Sequence, residues 1–210
     1  MKAAFCLARL LLVASAGAAL TGCLFKPVTD STRHFILAPI ASEELPKGAT
    51  RHLSIGIGPV RMPAQVSEGS IAVRASANEI EYFRNAVWAD RLDHCFQRTL
   101  AANLSGLLSS DGIYVDDWGR DQVVARVSVN VQQFEVDSKG TGTLIAQWRI
   151  TVPGKDLPVK QGFARLTRSG PPPNGKPEII ARTLSDLAGD FSRQLAQAIN
   201  ESAEKSARSD

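Results

Sequence analysis

From Val123 to Val131 every odd-numbered residue is Val or Ala, and most even positions between them are polar (Arg126, Ser128, Asn130). A period of two predicts a strand with one buried and one wet face. Two other stretches repeat every three to four residues. Leu92, Phe96, Leu100, Leu104, Leu107 and Leu108 form one stripe, with Cys95, Ala101 and Asn103 alongside; Ile180, Leu184, Leu187, Phe191, Leu195 and Ile199 form the other. Each stripe predicts a helix that buries one side only. A half-buried sheet and two one-sided helices satisfy each other in few ways. The class expected is α+β, a mostly antiparallel sheet with two long amphipathic helices packed on one face.

Further strands are predicted at His34–Ala38, Leu53–Val60, Ile71–Arg74, Ile80–Phe83, Ile113–Val115, Leu144–Ile150 and Gln161–Thr167. The stretch from Asn85 to Asp90 is expected to lead into the first long helix. The alternation slips at Gln132-Gln133, which predicts a β-bulge, and Ser138–Gly142 reads as a hairpin tip. Gly56-x-Gly58 is no phosphate loop. A third glycine and a following helix are missing, and Pro59 removes a donor. Pro171-Pro172-Pro173-Asn174-Gly175 is a stiff connector or a protruding contact loop, and Pro177 suits the first turn of the second long helix. Residues 41–51 read as loop, and the polar end 201–210 as a disordered tail.

The N-terminus is built differently. Lys2 and Arg9 head an apolar run of 11 residues, Leu10 to Leu20, followed by Thr21-Gly22-Cys23 and then a polar stretch containing Pro27. A basic head, a short apolar run and small residues at its end predict a secretory signal. The run is too short for a membrane span, which needs about 20 apolar residues. Leu20-Thr21-Gly22-Cys23 resembles a bacterial lipobox. The resemblance implies cleavage before Cys23, a diacylglycerol thioether on its sulfur and a further acyl chain on its amino group. The expected organisation is residues 1–22 as signal, 23–32 as lipidated tether, 33–200 as one domain and 201–210 as tail. Two or three acyl chains anchor a protein stably where a single chain does not. Leu24, where an aspartate would imply inner-membrane retention, points to the outer membrane.

Composition argues against several functions. With 24 basic and 21 acidic residues the net charge is +3, and loss of Lys2 and Arg9 would leave +1. No run of basic residues suggests nucleic acid. Cys6 leaves with the signal and Cys23 carries lipid, so Cys95 has no partner for an internal disulfide. His34, His52 and His94 lack metal-ligand spacing. Adjacent helix positions point about 100° apart, so His94 and Cys95 make a poor catalytic pair. Asp116-Asp117 and Glu43-Glu44 sit in loop-like sequence. No catalytic residue, metal or cofactor is expected. Tyr82, Phe83 and Trp88 lie within seven residues of each other in a chain poor in aromatics. They are either a core cluster or a partner-binding surface, and as the latter they are the candidate contact residues.

Several stretches together resemble a known family. They are Phe35-Ile36-Leu37-Ala38-Pro39, Ile55-Gly56-Ile57-Gly58-Pro59-Val60 with Pro63 after it, Ile71-Ala72-Val73-Arg74, Trp88-Ala89-Asp90-Arg91-Leu92 and Leu100-Ala101-Ala102-Asn103-Leu104. With the lipobox, the chain resembles the ABC-type transport auxiliary lipoproteins, which include the lipoprotein of the paraquat-inducible Pqi system. The resemblance implies an outer-membrane lipoprotein on the periplasmic side, partnering an MCE-domain protein and an ABC permease and ATPase in moving lipids or other hydrophobic molecules between two membranes. It implies a docking subunit, no enzyme, and Cys23 as lipid attachment site. A homo-oligomer is expected by analogy. Two alternatives share the anchor: an assembly or pilot lipoprotein for another outer-membrane machine (lipopolysaccharide insertion or secretion), and a lipid-modified hydrolase.

Overall fold

The computed structural model describes residues 31–45, 53–67, 69–115, 119, 122–154 and 157–207. Cys23 with the whole signal and most of the tether, His52 and the Asp116-Asp117 pair lie outside the described residues. The chain from Thr32 onward forms one compact unit.

Among the described residues, eight strands and three α-helices build the domain. They are β1 Arg33–Phe35, β2 Ile55–Arg61, a four-residue helix α1 Ala64–Ser67, β3 Ser70–Ser76, β4 Glu79–Trp88, α2 Leu92–Leu107, β5 Ile113–Val115, β6 Ala125–Val136, β7 Thr141–Thr151, β8 Lys160–Ser169 and α3 Pro177–Ala207. The α+β class with two long helices is the one expected. The sheet is divided in two: β1-β4-β3 and β5-β2-β6-β7-β8. Both sheets are mixed. β2 runs parallel to β5 and β6, and β1 runs parallel to β4, while β3–β4, β6–β7 and β7–β8 are antiparallel. Alternation reports which side of a strand is buried but not its direction. The segment between β2 and β5 contains α2 and brings the chain back to the starting edge, which is what a parallel neighbour needs.

The slip at Gln132 is a register shift of β6 against β7 between Val131 and Gln133. It lets Phe134 and Val136 continue the buried face begun by Val127, Val129 and Val131. Those residues and Leu144, Ala146, Trp148 and Ile150 of β7 meet both long helices on one face. Phe96 of α2 stands edge-on to Phe134 of β6 with ring centroids 5.1 Å apart, and lies 5.9 Å from Phe191 of α3. Two glycines permit close approach. A Cβ on Gly142 would come within 2.7 Å of Thr183 on α3, and one on Gly162 within 2.4 Å of the Trp148 ring.

Three boundaries differ from the sequence reading. Asn85–Trp88 belongs to β4 rather than to a helix lead-in, because Ala86–Trp88 pair with β1. β1 ends at Phe35, and the chain after it crosses the two long helices as a strap held by side chains. Thr99 Oγ1 of α2 donates to the Leu37 carbonyl (3.1 Å), the Ala38 N–H donates to Ser185 Oγ of α3 (3.0 Å), and the Ile40 N–H donates to Asn103 Oδ1 of α2 (2.7 Å). Asn103 Nδ2 donates in turn to Ser192 Oγ on α3 (2.9 Å). Third, α3 runs on to Ala207 through the stretch expected to be a disordered tail. Lys160 of β8 pairs with Glu201, Gln197 donates to the other oxygen of Glu201 (3.0 Å), and Ser202 Oγ donates to the Ala198 carbonyl (2.8 Å). Ala, Glu and Lys in this stretch are also strong helix formers.

The start of α2 is fixed by charge. Asp90 accepts the Arg91 N–H (2.7 Å) and pairs with Arg98 (2.8 Å); Arg91 pairs with Asp93 (2.7 Å). The hydrogen bond from Arg98 holds the Asp90 carboxyl below its ordinary range, and that from Arg91 does the same for Asp93. Carboxylates near a helix N-terminus also oppose its dipole.

Two outcomes follow from this packing. Asn103→Ala leaves the Ile40 N–H and Ser192 without their partner, and should cost about 1–3 kcal/mol in chemical denaturation; a loss within about 0.5 kcal/mol, the range of ordinary surface changes, would contradict the strap's role. A carboxyl whose pKa is lowered on folding stabilises fully above its unfolded value, about 3.9, and loses that contribution as pH falls through the lower folded value. Melting temperature should therefore drop below about pH 4, and Asp93→Asn should flatten that acid limb relative to the parent chain; an unchanged limb would contradict the assignment.

Candidate partner-binding surface

Each candidate contact residue sits on β4, yet the fold separates them. Trp88 is 5% exposed and belongs to the core. Its backbone N–H donates to the Gly69 carbonyl (2.6 Å), and its ring borders a small internal space with Val66, Leu92, Phe134 and Leu184. Among the three aromatics it is therefore a packing residue, removed from the candidate contact surface by burial. Tyr82 is 42% exposed, and its hydroxyl donates to the Gln65 carbonyl of α1 (2.8 Å), which fixes the ring. Phe83 is half-buried at the margin of the core.

Tyr82 and Phe83 border a groove of about 450 Å³ whose other wall is the proline loop. Val73, Glu81, Arg84 and Ser138 complete it. Pro173 is buried while Pro171 and Pro172 are exposed. Asn174 and Gly175 take left-handed backbone angles (φ 46° and 76°) that turn the chain into α3. Two features distant in sequence, the aromatic pair and the proline loop, thus face each other. Nothing in residue spacing could have shown that.

The free edge of β4 adds a second property. β1 pairs with Ala86–Trp88 only, so among the described strands none pairs with Glu79–Arg84 on that side. An open strand edge beside a groove lined by both apolar and charged side chains suits an extended peptide, which can satisfy the backbone and place alternate side chains in the groove.

The groups that a hydrolase would need are placed otherwise. Cys95 is buried, its thiol donates to the Asp90 carbonyl (3.6 Å), and desolvation raises its pKa. A protonated buried thiol is a poor nucleophile. The neighbouring His94 turns its Nδ1 to Asp90 (3.6 Å). Among the described residues, no group of three or more His, Cys, Asp or Glu could hold a metal ion. No described helix is long and apolar enough to cross a membrane.

Comparison with known proteins places the fold. A crystal structure of a Xanthomonas campestris protein of the DUF330 family superposes with a TM-score of 0.65 at 10% identity, covering 84% of this chain and 99% of that one. A second crystal structure, of an uncharacterized protein, gives 0.57 at 20% identity over 80% and 99%. The PelC dodecamer from Paraburkholderia phytofirmans is a looser match, with a TM-score of 0.39 at 14% identity over 70% and 86%. No curated protein matches the sequence. The family model of the ABC-type transport auxiliary lipoprotein component matches residues 35–196, from the end of β1 almost to the end of the α3 stripe. The chain belongs to the family of ABC-type transport auxiliary lipoprotein components.

Proposed function

We propose that this chain is a lipid-anchored docking subunit on the periplasmic side of the outer membrane. In this reading it joins an MCE-domain protein to an ABC permease and ATPase that move lipids or other hydrophobic molecules between the two membranes. The observation that carries the reading is the family match over residues 35–196, which makes the chain an auxiliary of ABC transport. Three features support the finer statement. The lipobox ending at Cys23 supplies an anchor, and Leu24 after it favours the outer membrane. The buried thiol of Cys95, whose pKa desolvation raises, suits a packing residue rather than a nucleophile. The groove beside Tyr82 and Phe83, next to the open edge of β4, is a surface on which a partner's extended segment would seat. Arrangement as a homo-oligomer belongs to the same proposal.

The test is affinity purification of the tagged full-length protein from detergent-solubilised membranes, with mass spectrometry of the co-purifying proteins. An MCE-domain protein with its permease or ATPase is the expected recovery. Tyr82→Ala combined with Phe83→Ala should reduce that recovery at least tenfold. Cys23→Ala should abolish it, by releasing the protein from the membrane. Recovery of a secretin or a lipopolysaccharide-assembly barrel, with no transporter component, would overturn the proposal.

A further inference from the structure

The five-stranded sheet presents its inner face to the helices and leaves its outer face uncovered among the described residues. Register assigns that outer face residue by residue. Arg61 of β2 lies opposite Asn130 of β6, Asn130 opposite Gln147 of β7, and Gln147 opposite Phe163 of β8. In the next row Ser128 of β6 lies opposite Arg149 of β7, and Arg149 opposite Gln161 of β8. Arg165 follows on β8, opposite Ile145 and stacked at 5.7 Å on the Phe163 ring. Arg61, Ser128, Asn130, Gln147 and Arg149 surround a depression of about 330 Å³, with Pro59 on its rim and Val129 reaching it from β6.

The charge of this face is one-sided. Its described carboxylates are both engaged. Glu135 is held by Arg74 and by Gln133 (2.5 Å), and Asp137, at the hairpin tip, accepts the N–H groups of Lys139 (3.0 Å) and Thr141 (2.7 Å). Several arginines elsewhere are paired: Arg33 with Glu178, Arg168 with Asp186 and Asp190, Arg193 with Glu44 and Asp190. Arg61 and Arg149 have neither a hydrogen bond nor an ion pair among the described residues, although they border one depression. Register sets them two strands and one row apart, with β6 between, so an anion in the depression would meet a cation on either side.

We infer that this depression binds the phosphate-bearing headgroup of an anionic phospholipid, with Arg61 and Arg149 as its two cationic jaws. A guanidinium offers paired N–H donors that match phosphate oxygens, and amides and a hydroxyl between the jaws suit a headgroup's remaining oxygens. The volume fits a small polar ligand. The lining lacks the desolvated aromatic or aliphatic centre on which protein interfaces depend, which argues for a headgroup over an acidic protein. Phospholipid is the source at hand, since the inference rests on the lipid-anchored reading. A tether of ten residues spans at most about 35 Å, so the domain stays close to a membrane surface. It does not rest on the transporter partners.

The experiment is titration calorimetry on the full-length protein in a neutral detergent, with short-chain phosphatidylglycerol as probe. Binding of phosphatidylglycerol is expected. Each arginine should contribute about fivefold, so that Arg61→Gln with Arg149→Gln weakens binding about 25-fold. Arg182→Gln on the exposed face of α3 should leave it unchanged. Matched melting temperatures and circular dichroism will show that the variants are folded; both sites are exposed, so no core contact is lost. Equal binding by the parent and the double variant would overturn the inference. So would equal affinity for short-chain phosphatidylcholine. Inorganic phosphate binding as tightly as the lipid would reduce the site to a free-phosphate site, and polyglutamate binding more tightly would reassign the face to an acidic protein. If phosphatidylglycerol binds while no transporter component co-purifies, the headgroup site stands and the docking proposal falls.

Discussion

The contact of Phe96 with Phe134 and Phe191 is the joint on which the domain depends. All three rings are at most 1% exposed, and they belong to α2, β6 and α3 respectively. Phe134 can reach that joint only because the β6 bulge shifts the strand by one residue; without the shift its ring would stand on the opposite face of the sheet. The helices then meet across Asn103 and Ser192, a buried polar pair that also takes in the Ile40 N–H. Apolar stripes press helices together at many rotations. A satisfied polar pair among them selects one.

From that joint the molecule's surfaces divide. Helices fill one face of the large sheet, so its other face is left polar and cationic around Arg61 and Arg149. The small sheet has its own role. It brings Trp88 into the core from one side and leaves Tyr82, Phe83 and an open strand edge on the other, against the proline loop. A peptide-accepting groove and a headgroup-accepting depression thus lie on separate elements. Either could be lost without the other, which the proposed docking and headgroup-binding roles allow.

The sequence was legible wherever burial alone decides structure. Both helical stripes, the Val123–Val131 alternation and the slip at Gln132 became helices, strand and bulge. The Trp-Ala-Asp-Arg-Leu stretch proved to be the junction of β4 and α2: Trp88 ends the strand and packs in the core, Asp90 binds Arg98, and Leu92 opens the helix. Strand direction was not legible, because parallel and antiparallel neighbours bury the same residues. The strap across α2 and α3 was hidden for a different reason. Its hold comes from Thr99, Asn103 and Ser185, which look from the sequence like ordinary polar residues near an apolar stripe. The groove and the cationic depression are both assembled from residues far apart in the chain, and only the tertiary fold brings them together. Trp88 parts from Tyr82 and Phe83 because alternate and bulged positions of one strand face different surroundings.

Site-specific photo-cross-linking in the living bacterium distinguishes an occupied groove from bare surface. A photoreactive amino acid at position 82 reports what occupies the β4 groove, and the same residue at position 182, on the exposed side of α3, serves as reference. A docking groove gives a protein adduct at position 82 that contains a component of an ABC transport system, most directly an MCE-domain protein, and that disappears when the partner gene is deleted. The same adduct at both positions, or an adduct at 82 with an envelope machine unrelated to ABC transport, would contradict it.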